Sequence, residues 1–398
     1  MSHQRLWGKG QSPDEMIITF TVGNDPVLDA RLVGHDVVAS KAHVRMLESC
    51  GHLTARDSEA LCNGLSAVGE AFLRGEWKIE LEQEDCHTAI ETQLTSRLGS
   101  LGGKVHLGRS RNDQVLTALR LYLREASQSL CGRLDEVLAS LHALAQDQGD
   151  VEIPGYTHMQ QAMPSSVRLW AEGHASVLLS NKKLLEAAEQ LAQECPLGSA
   201  AGYGTPGLTL DREFTARALG FDAPQEPVTA CQLSRGKAES ALAFALAQIL
   251  GDLGRMAADL CLYATQEFGY VKLDTSISTG SSIMPQKRNP DVFELIRGHA
   301  SQALADLVAI LGLTEKLPSG YHRDLQLLKE PLFRLIDRAD LVMTVAAHAL
   351  GKLTFDAARA NEVTDDSIHA AEEAFALVQS EGISFREAYH RVAAKHKD

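Results

Sequence analysis

The feature that most constrains this chain is a set of long apolar stripes with helical spacing. Leu116, Leu119, Leu123, Ala126, Leu130, Leu134, Val137, Leu141 and Leu144 recur every three or four positions, a near-heptad rhythm with one stutter. A second stripe, Leu242, Leu246, Ile249, Leu253, Met256 and Leu260, alternates steps of four and three without a break. Its neighbours Ala241, Ala243, Ala245, Ala247, Ala257 and Ala258 are small, which lets other helices approach from several sides. Further helices are predicted at 165–194, 290–316 and 328–352, with Ser165 and Asn289-Pro290 as start signals. Five long helices with almost no period-two pattern predict an all-α fold, a long central helix bundle. Shorter helical patterns at 30–49 and 57–73 mark a smaller N-terminal helical domain over 1–106. The bundle then spans 107–352, and a short C-terminal helical domain covers 353–398. Stripes this long call for association of subunits, which buries outward-facing apolar surface between copies.

Charge narrows the function classes. Lys plus Arg total 38 against 52 Asp plus Glu, a net charge of 38 − 52 = −14. Such a chain repels nucleic acid and anionic membrane overall, so neither is an expected partner. A locally basic pocket for a small dicarboxylate remains compatible with that sum. Cys50, Cys62, Cys86, Cys131, Cys195, Cys231 and Cys261 are odd in number, scattered and never spaced C-x-x-C, and read as reduced thiols. The start, MSHQRLWGKGQSPDE, has no apolar leader region, and no uninterrupted apolar run spans a bilayer. A soluble, cytoplasmic protein is expected. With no G-x-G-x-x-G after a strand and no P-loop, no cofactor is implied.

Polar, Gly-bearing loops lie between the helices at 104–111, 152–164, 196–212, 272–290 and 316–329, where chemistry can sit on a rigid scaffold. The most informative is Thr279-Gly280-Ser281-Ser282-Ile283-Met284-Pro285-Gln286-Lys287-Arg288-Asn289-Pro290. Gly280 permits a hinge, two hydroxyls follow, and Lys287 and Asn289 add a cation and an amide before a helix start, a combination suited to a carboxylate ligand. An isolated G-S-S is usually a surface loop, but the whole string counts against that reading.

The string resembles the signature of the fumarase/aspartase superfamily. Three more segments resemble its argininosuccinate lyase branch: His106-Leu107-Gly108-Arg109-Ser110-Arg111-Asn112-Asp113-Gln114, then Gly155-Tyr156-Thr157-His158-Met159-Gln160, then Tyr321-His322-Arg323-Asp324-Leu325-Gln326 with Lys329. The likeness runs from Trp7-Gly8 to Phe385-Arg386-Glu387-Ala388, with motifs in the same order. It implies an anti β-elimination splitting argininosuccinate into arginine and fumarate through an aci-carboxylate carbanion. By resemblance Ser281 is the base, while Lys287 and Asn289 hold the carboxylate whose charge grows. His158, matched with Glu294, is an acid or relay: a carboxylate on one imidazole nitrogen fixes the tautomer and raises the pKa. Arg109, Ser110, Arg111 and Asn112 resemble residues that orient the fumarate-half carboxylates. Thr157, Gln160, Tyr321, Gln326 and Lys329 match further substrate contacts. Glu84-Asp85-Cys86-His87-Thr88-Ala89-Ile90-Glu91 resembles the family's E-D-x-H-x-x-x-E element and places Asp85 and His87 with them. A metal there is the rival reading, but H-E-x-x-H and a clustered second histidine are missing, so no metal is expected. The resemblance further implies a homotetramer whose histidine loop, Arg-Ser-Arg loop and serine loop meet from different subunits.

Departures from the family pattern keep alternatives open. Asp25 stands where the family presents a serine that touches substrate, Gly236 replaces an aspartate beside the retained Arg235, and relatives continue further past Phe385-Arg386-Glu387-Ala388. The alternatives are a lyase for another N-substituted aspartate such as adenylosuccinate, or for another succinyl compound, and a non-catalytic structural relative on the same fold.

Overall fold

The computed structural model describes residues 14–396; the Trp7-Gly8 part of the resemblance lies outside them. Helices of eleven residues or more are α1 (Val33–Ser49), α2 (Ala55–Leu73), α3 (Cys86–Leu98), α4 (Arg111–Asp147), α5 (Val167–Gln190), α6 (Lys237–Tyr263), α7 (Asp291–Thr314), α8 (Lys329–Leu350), α9 (Ala370–Glu381) and α10 (Phe385–Lys395). Five of these, α4 to α8, are the long helices that the periodicity predicts. Every residue of the two apolar stripes is buried, which is what a stripe repeating with the helical turn requires once neighbours cover one face.

The described residues form two compact units. The first takes the chain up to Ser129, Leu184–Ala245 and Ala305–Ile336; the second takes Leu130–Lys183, Leu246–Leu304 and the chain from Asp337 on. The division of the sequence into 1–106, 107–352 and 353–398 remains a proposal about chain order, not about which residues pack together. In the first unit α1, α2 and α3 pack on one another. In the second, side-chain bonds link the long helices along their polar flanks: Lys182 of α5 to Asp135 of α4 at 2.8 Å, Asn181 of α5 to Asp252 of α6 at 2.7 Å, and Arg133 of α4 to Asp340 of α8 at 2.8 Å.

The loop expected at 152–164 is instead a hairpin, β1 (Glu152–Thr157) and β2 (Gln160–Ser166), with an irregularity between Gly155 and Tyr156. Its sequence carries no alternation of apolar and polar residues. Pro154 and Pro164 face each other across it, and neither can donate to the ladder. A second small antiparallel pair joins β3 (Val271–Leu273) to β4 (Leu353–Phe355). One helical stretch, Ala230–Tyr263, is long and apolar enough to cross a membrane by length and composition, contrary to expectation, yet 56% of its most apolar window is buried inside the protein. Truncating that buried stripe tests its contribution: Leu246→Ala is expected to lower the unfolding free energy by about 2–5 kcal/mol, read from denaturant titration with an unchanged m-value.

Candidate active site

In the first unit the sequence folds five chain stretches around a cavity of about 170 Å³. Asp85 caps α3, its carboxylate accepting from Thr88 N at 2.8 Å, and the same carboxylate receives the Arg111 guanidinium, Nε at 2.7 Å. Burial works against the Asp85 charge, but His87 and Arg111 hold its pKa below the usual range. Arg111 also reaches Glu84 at 3.2 Å, which in turn takes Arg323 at 3.4 Å. Glu84 sits at φ 68°, a left-handed backbone that a side-chain-bearing residue adopts at a cost. Asp113, in the first turn of α4, accepts from Ser110 N at 2.9 Å, and its other oxygen from Gly198 N and Ala200 N. Ser110 meanwhile accepts from Asn112 N at 3.3 Å. The arginine loop is thereby fixed at the N-terminus of α4, where backbone N–H groups favour an anion.

Two buried charge pairs back this cavity. Lys329 opens α8 and places its ammonium 2.5 Å from Asp29 and 2.9 Å from Asp25. Burial disfavours that charge, but the two carboxylates hold the Lys329 pKa above its ordinary value. His87, buried, stands with Nδ1 3.1 Å from Asp36. Burial opposes the imidazolium, but Asp36 prevails and the pKa is raised. Asp29, Cys86 and His87 also offer potential ligand atoms within 4.8 Å of one another. Asp29 already receives the Lys329 ammonium at one oxygen and the Cys86 amide at the other.

In the second unit, Thr157 and Gln160 pair at the end of the hairpin, and His158 and Met159 form its two-residue tip. Both lie in the left-handed region, φ 54° and 62°, where hairpins of this length ordinarily carry Asn or Gly. The tip presents His158 outward. Gln161 clamps the stem by donating to Val363 O at 2.6 Å and accepting from Asp365 N at 2.8 Å. The serine loop is closed at its base by a Thr279–Asn289 bridge, and Asn289 Nδ2 also donates to Gly280 O at 3.4 Å. Ser281 Oγ accepts from two backbone amides, Met284 N at 3.2 Å and Ile283 N at 3.4 Å. Donors aimed at a hydroxyl oxygen stabilise its alkoxide more than its neutral form. Lys287, Asn289 and Glu294 line one open crevice with Met159 of the hairpin tip.

A family model described as Lyase matches residues 11–305. An argininosuccinate lyase from Phocaeicola vulgatus is 43% identical over 396 residues, 98% of this chain and 87% of that protein. One from Thermotoga neapolitana is 38% identical over 393 residues, 99% of this chain and 98% of that protein. The chain belongs to the argininosuccinate lyase family. Among solved structures, an EDDS lyase variant with bound fumarate is similar at a TM-score of 0.81 and 26% identity, over 96% of this chain and 76% of that one. The chain is a carbon–nitrogen lyase, and its fold is the all-α bundle architecture of those enzymes.

Within this lyase the expected residues fall into two sets. Asp85, His87, Arg111, Asn112, Tyr321, Gln326 and Lys329 share the cavity of the first unit. His158, Thr157, Gln160, Ser281, Lys287, Asn289 and Glu294 belong to the second. Arg109 is turned inward: its guanidinium donates to Ser40 Oγ of α1 at 2.8 Å, and it is buried. Gln326 spends its amide on the carbonyls of Thr21 and Val22, at 3.0 and 3.1 Å. Sequence reasoning did not place Asp29, Arg235 and Arg323 on the cavity wall. The Asp25-x-x-x-Asp29 spacing was the available signal, since two acids one helical turn apart call for a cation.

The His87–Asp36 pair gives a pH test. A folded-state histidine pKa above the ordinary 6.5 makes the pair's stabilisation complete below that value and lost as pH rises through the raised one. Asp36→Asn is expected to cost about 3 kcal/mol at pH 6, and its difference from wild type is expected to shrink by pH 9 in denaturant titrations. A difference that stays flat between those pH values would remove the charged pair from the account.

Proposed function

We propose that this chain cleaves argininosuccinate to L-arginine and fumarate, in arginine biosynthesis and in the cytoplasm. The two argininosuccinate lyases that it resembles over almost the whole of its own length support the substrate. The observation that carries the mechanism is the serine loop: Ser281 Oγ lies under two amide N–H groups, with Lys287 six residues on. A serine hydroxyl is too weak a base by itself; two fixed donors and a nearby ammonium lower the cost of its alkoxide, which then removes the proton next to a substrate carboxylate. Lys287 and Asn289 hold that carboxylate as charge builds on it in the aci form. The C–N bond then breaks, the electron pair leaves with the guanidino nitrogen, and a proton reaches that nitrogen from His158 or through it. Glu294 is the proposed partner that orients the imidazole. Arg111 and Asn112, at the start of α4, orient the fumarate half.

His158, Ser281 and the arginine loop come together, in this reading, from different subunits of a homotetramer. Apolar side chains left exposed on the long helices, Leu169, Leu179, Phe244, Leu295, Leu304, Val308 and Leu341, supply surface for that association.

Fumarate release from argininosuccinate, followed by ultraviolet absorbance beside adenylosuccinate as the competing substrate, tests the assignment. Turnover confined to adenylosuccinate would overturn it. Ser281→Ala is expected to lower kcat by about 10²–10⁴-fold with the oligomer unchanged in sedimentation; wild-type turnover in that variant would take Ser281 out of the reaction. A fully active monomer would sink the shared-site reading.

A further inference from the structure

The hairpin tip keeps two consecutive residues, His158 and Met159, in left-handed backbone at φ 54° and 62°, with neither glycine nor asparagine to relax it. Such a tip holds its direction only where its stem is fixed from more than one side. The second unit supplies three holds, and they close on one another. On β2, Gln161 donates through Nε2 to Val363 O at 2.6 Å and accepts at Oε1 from Asp365 N at 2.8 Å. On β1, the Tyr156 ring meets the edge of Phe268 with 5.6 Å between centres. The third hold joins those partners to each other: Arg359 donates through Nε to Phe268 O at 3.0 Å and through Nη2 to Glu267 O at 2.7 Å.

Arg359 lies on the short helix Ala357–Val363, and the two backbone partners of Gln161 stand at its last residue and just beyond it. The helix is itself anchored at its start. Asp356, its N-cap, accepts from Arg359 N at 3.1 Å, donates its own amide to Tyr270 O at 2.8 Å and receives the Lys272 ammonium of β3. The turn pinned by Arg359 is also a wall of the open crevice, where Thr265, Gln266 and Glu267 stand with Met159, Lys287 and Glu294. No residue of the short helix is among those lining that crevice. It nevertheless fixes two of the crevice's parts, the hairpin and the turn at 265–267.

We infer that Gln161 and Arg359 are positioning residues for the lyase reaction, which through this helix set the direction in which the hairpin presents His158. The inference rests on the proposed role of His158 as acid or relay. Charge is not their means: their bonds to hairpin, turn and helix end are to neutral backbone groups, and Glu362 on the same helix answers the Arg359 guanidinium at 2.9 Å. Their means is geometry, since a displacement of about 1 Å in a reacting group costs on the order of 10²-fold in rate. The residue types suit the task. A glutamine amide carries a donor and an acceptor on one end and so bridges a carbonyl and an amide, which a leucine of similar size cannot do. A guanidinium fork spans two successive carbonyls in a plane, whereas a lysine ammonium is a point donor.

Steady-state turnover of argininosuccinate is measured for wild type, Gln161→Leu, Arg359→Lys and His158→Ala, and for each of the first two combined with His158→Ala. Sedimentation checks the oligomer, and rates are expressed per folded enzyme. Gln161→Leu and Arg359→Lys are each expected to lower kcat by about 10–10²-fold, with KM within about twofold of wild type. In the His158→Ala background the same substitutions are expected to cost nothing further, because a histidine that is gone cannot be misaimed. An equal loss of kcat in both backgrounds marks a merely structural role and overturns the inference, as does wild-type kcat in both single variants. Should Gln161→Leu fail to fold, Arg359→Lys carries the comparison alone. Should His158→Ala turn over too slowly to measure, the single variants decide, and a raised KM at unchanged kcat overturns positioning. Wild-type turnover in His158→Ala removes the histidine from the reaction and fails the underlying reading. A crippled His158→Ala beside wild-type kcat in the other two variants fails this inference alone.

Discussion

Lys329 enters the first unit at the first turn of α8 with its ammonium buried, and two carboxylates from the segment just before α1 meet it there. One of them, Asp29, has a second duty: its other oxygen accepts from Cys86 N at 3.3 Å, at the start of α3. A single buried ion cluster thus joins stretches of chain 57 and 300 residues apart. Removing one partner would strand a charge away from water, which costs far more than the pair itself contributes net. The rest of the cavity is built outward from that junction. Asp85 is held at the head of α3 by its capping bond, Arg111 is held by Asp85, and Arg323 is held by Glu84. Most side chains that face the cavity are already fixed by a second contact, so little conformational freedom is left to lose on binding.

The second unit uses a different device. His158 and Met159 occupy left-handed backbone at a hairpin tip without the glycine or asparagine that would relax it. Such a turn persists only where the surroundings over-determine it. Gln161, whose amide bridges two backbone groups after residue 362, and Tyr156, whose ring packs 5.6 Å from that of Phe268, grip the stem on its two strands. The serine loop is likewise closed at its base and open at its tip, with Ser281 turned back under its own following amides. Both loops, which carry His158 and Ser281 of the proposed chemistry, have bases bonded into the scaffold.

The net charge of −14 and the contents of the first cavity illustrate how little a global sum says about a local field. Arg111, Arg235, Arg323 and Lys329 converge on one small space in an acidic protein. What matters there is which of them is paired. Lys329 is answered twice, Arg111 twice, and Arg235 by Glu239 at 3.9 Å, and this inequality could not have been read from counting residues.

Periodicity, with start signals such as Ser165 and Asn289-Pro290, placed the five long helices, because the burial of a stripe repeats with the turn of a single helix and needs no knowledge of its partners. The serine string and the arginine string were equally legible, since each keeps its chemistry within about ten consecutive residues. The hairpin at 152–166 was not, because two facing prolines and a bulge erase the alternation by which a strand announces itself. Nor did sequence reveal that Arg109 bonds inward to Ser40 or that Gln326 is engaged by the carbonyls of Thr21 and Val22; those are meetings across 69 and about 300 residues. The identity of the Lys329 partners belongs to the same class. Local pattern determines which backbone forms and which motif is present, whereas the pairing of buried charges depends on which distant segments share a space from which water is excluded, and only the folded chain decides that.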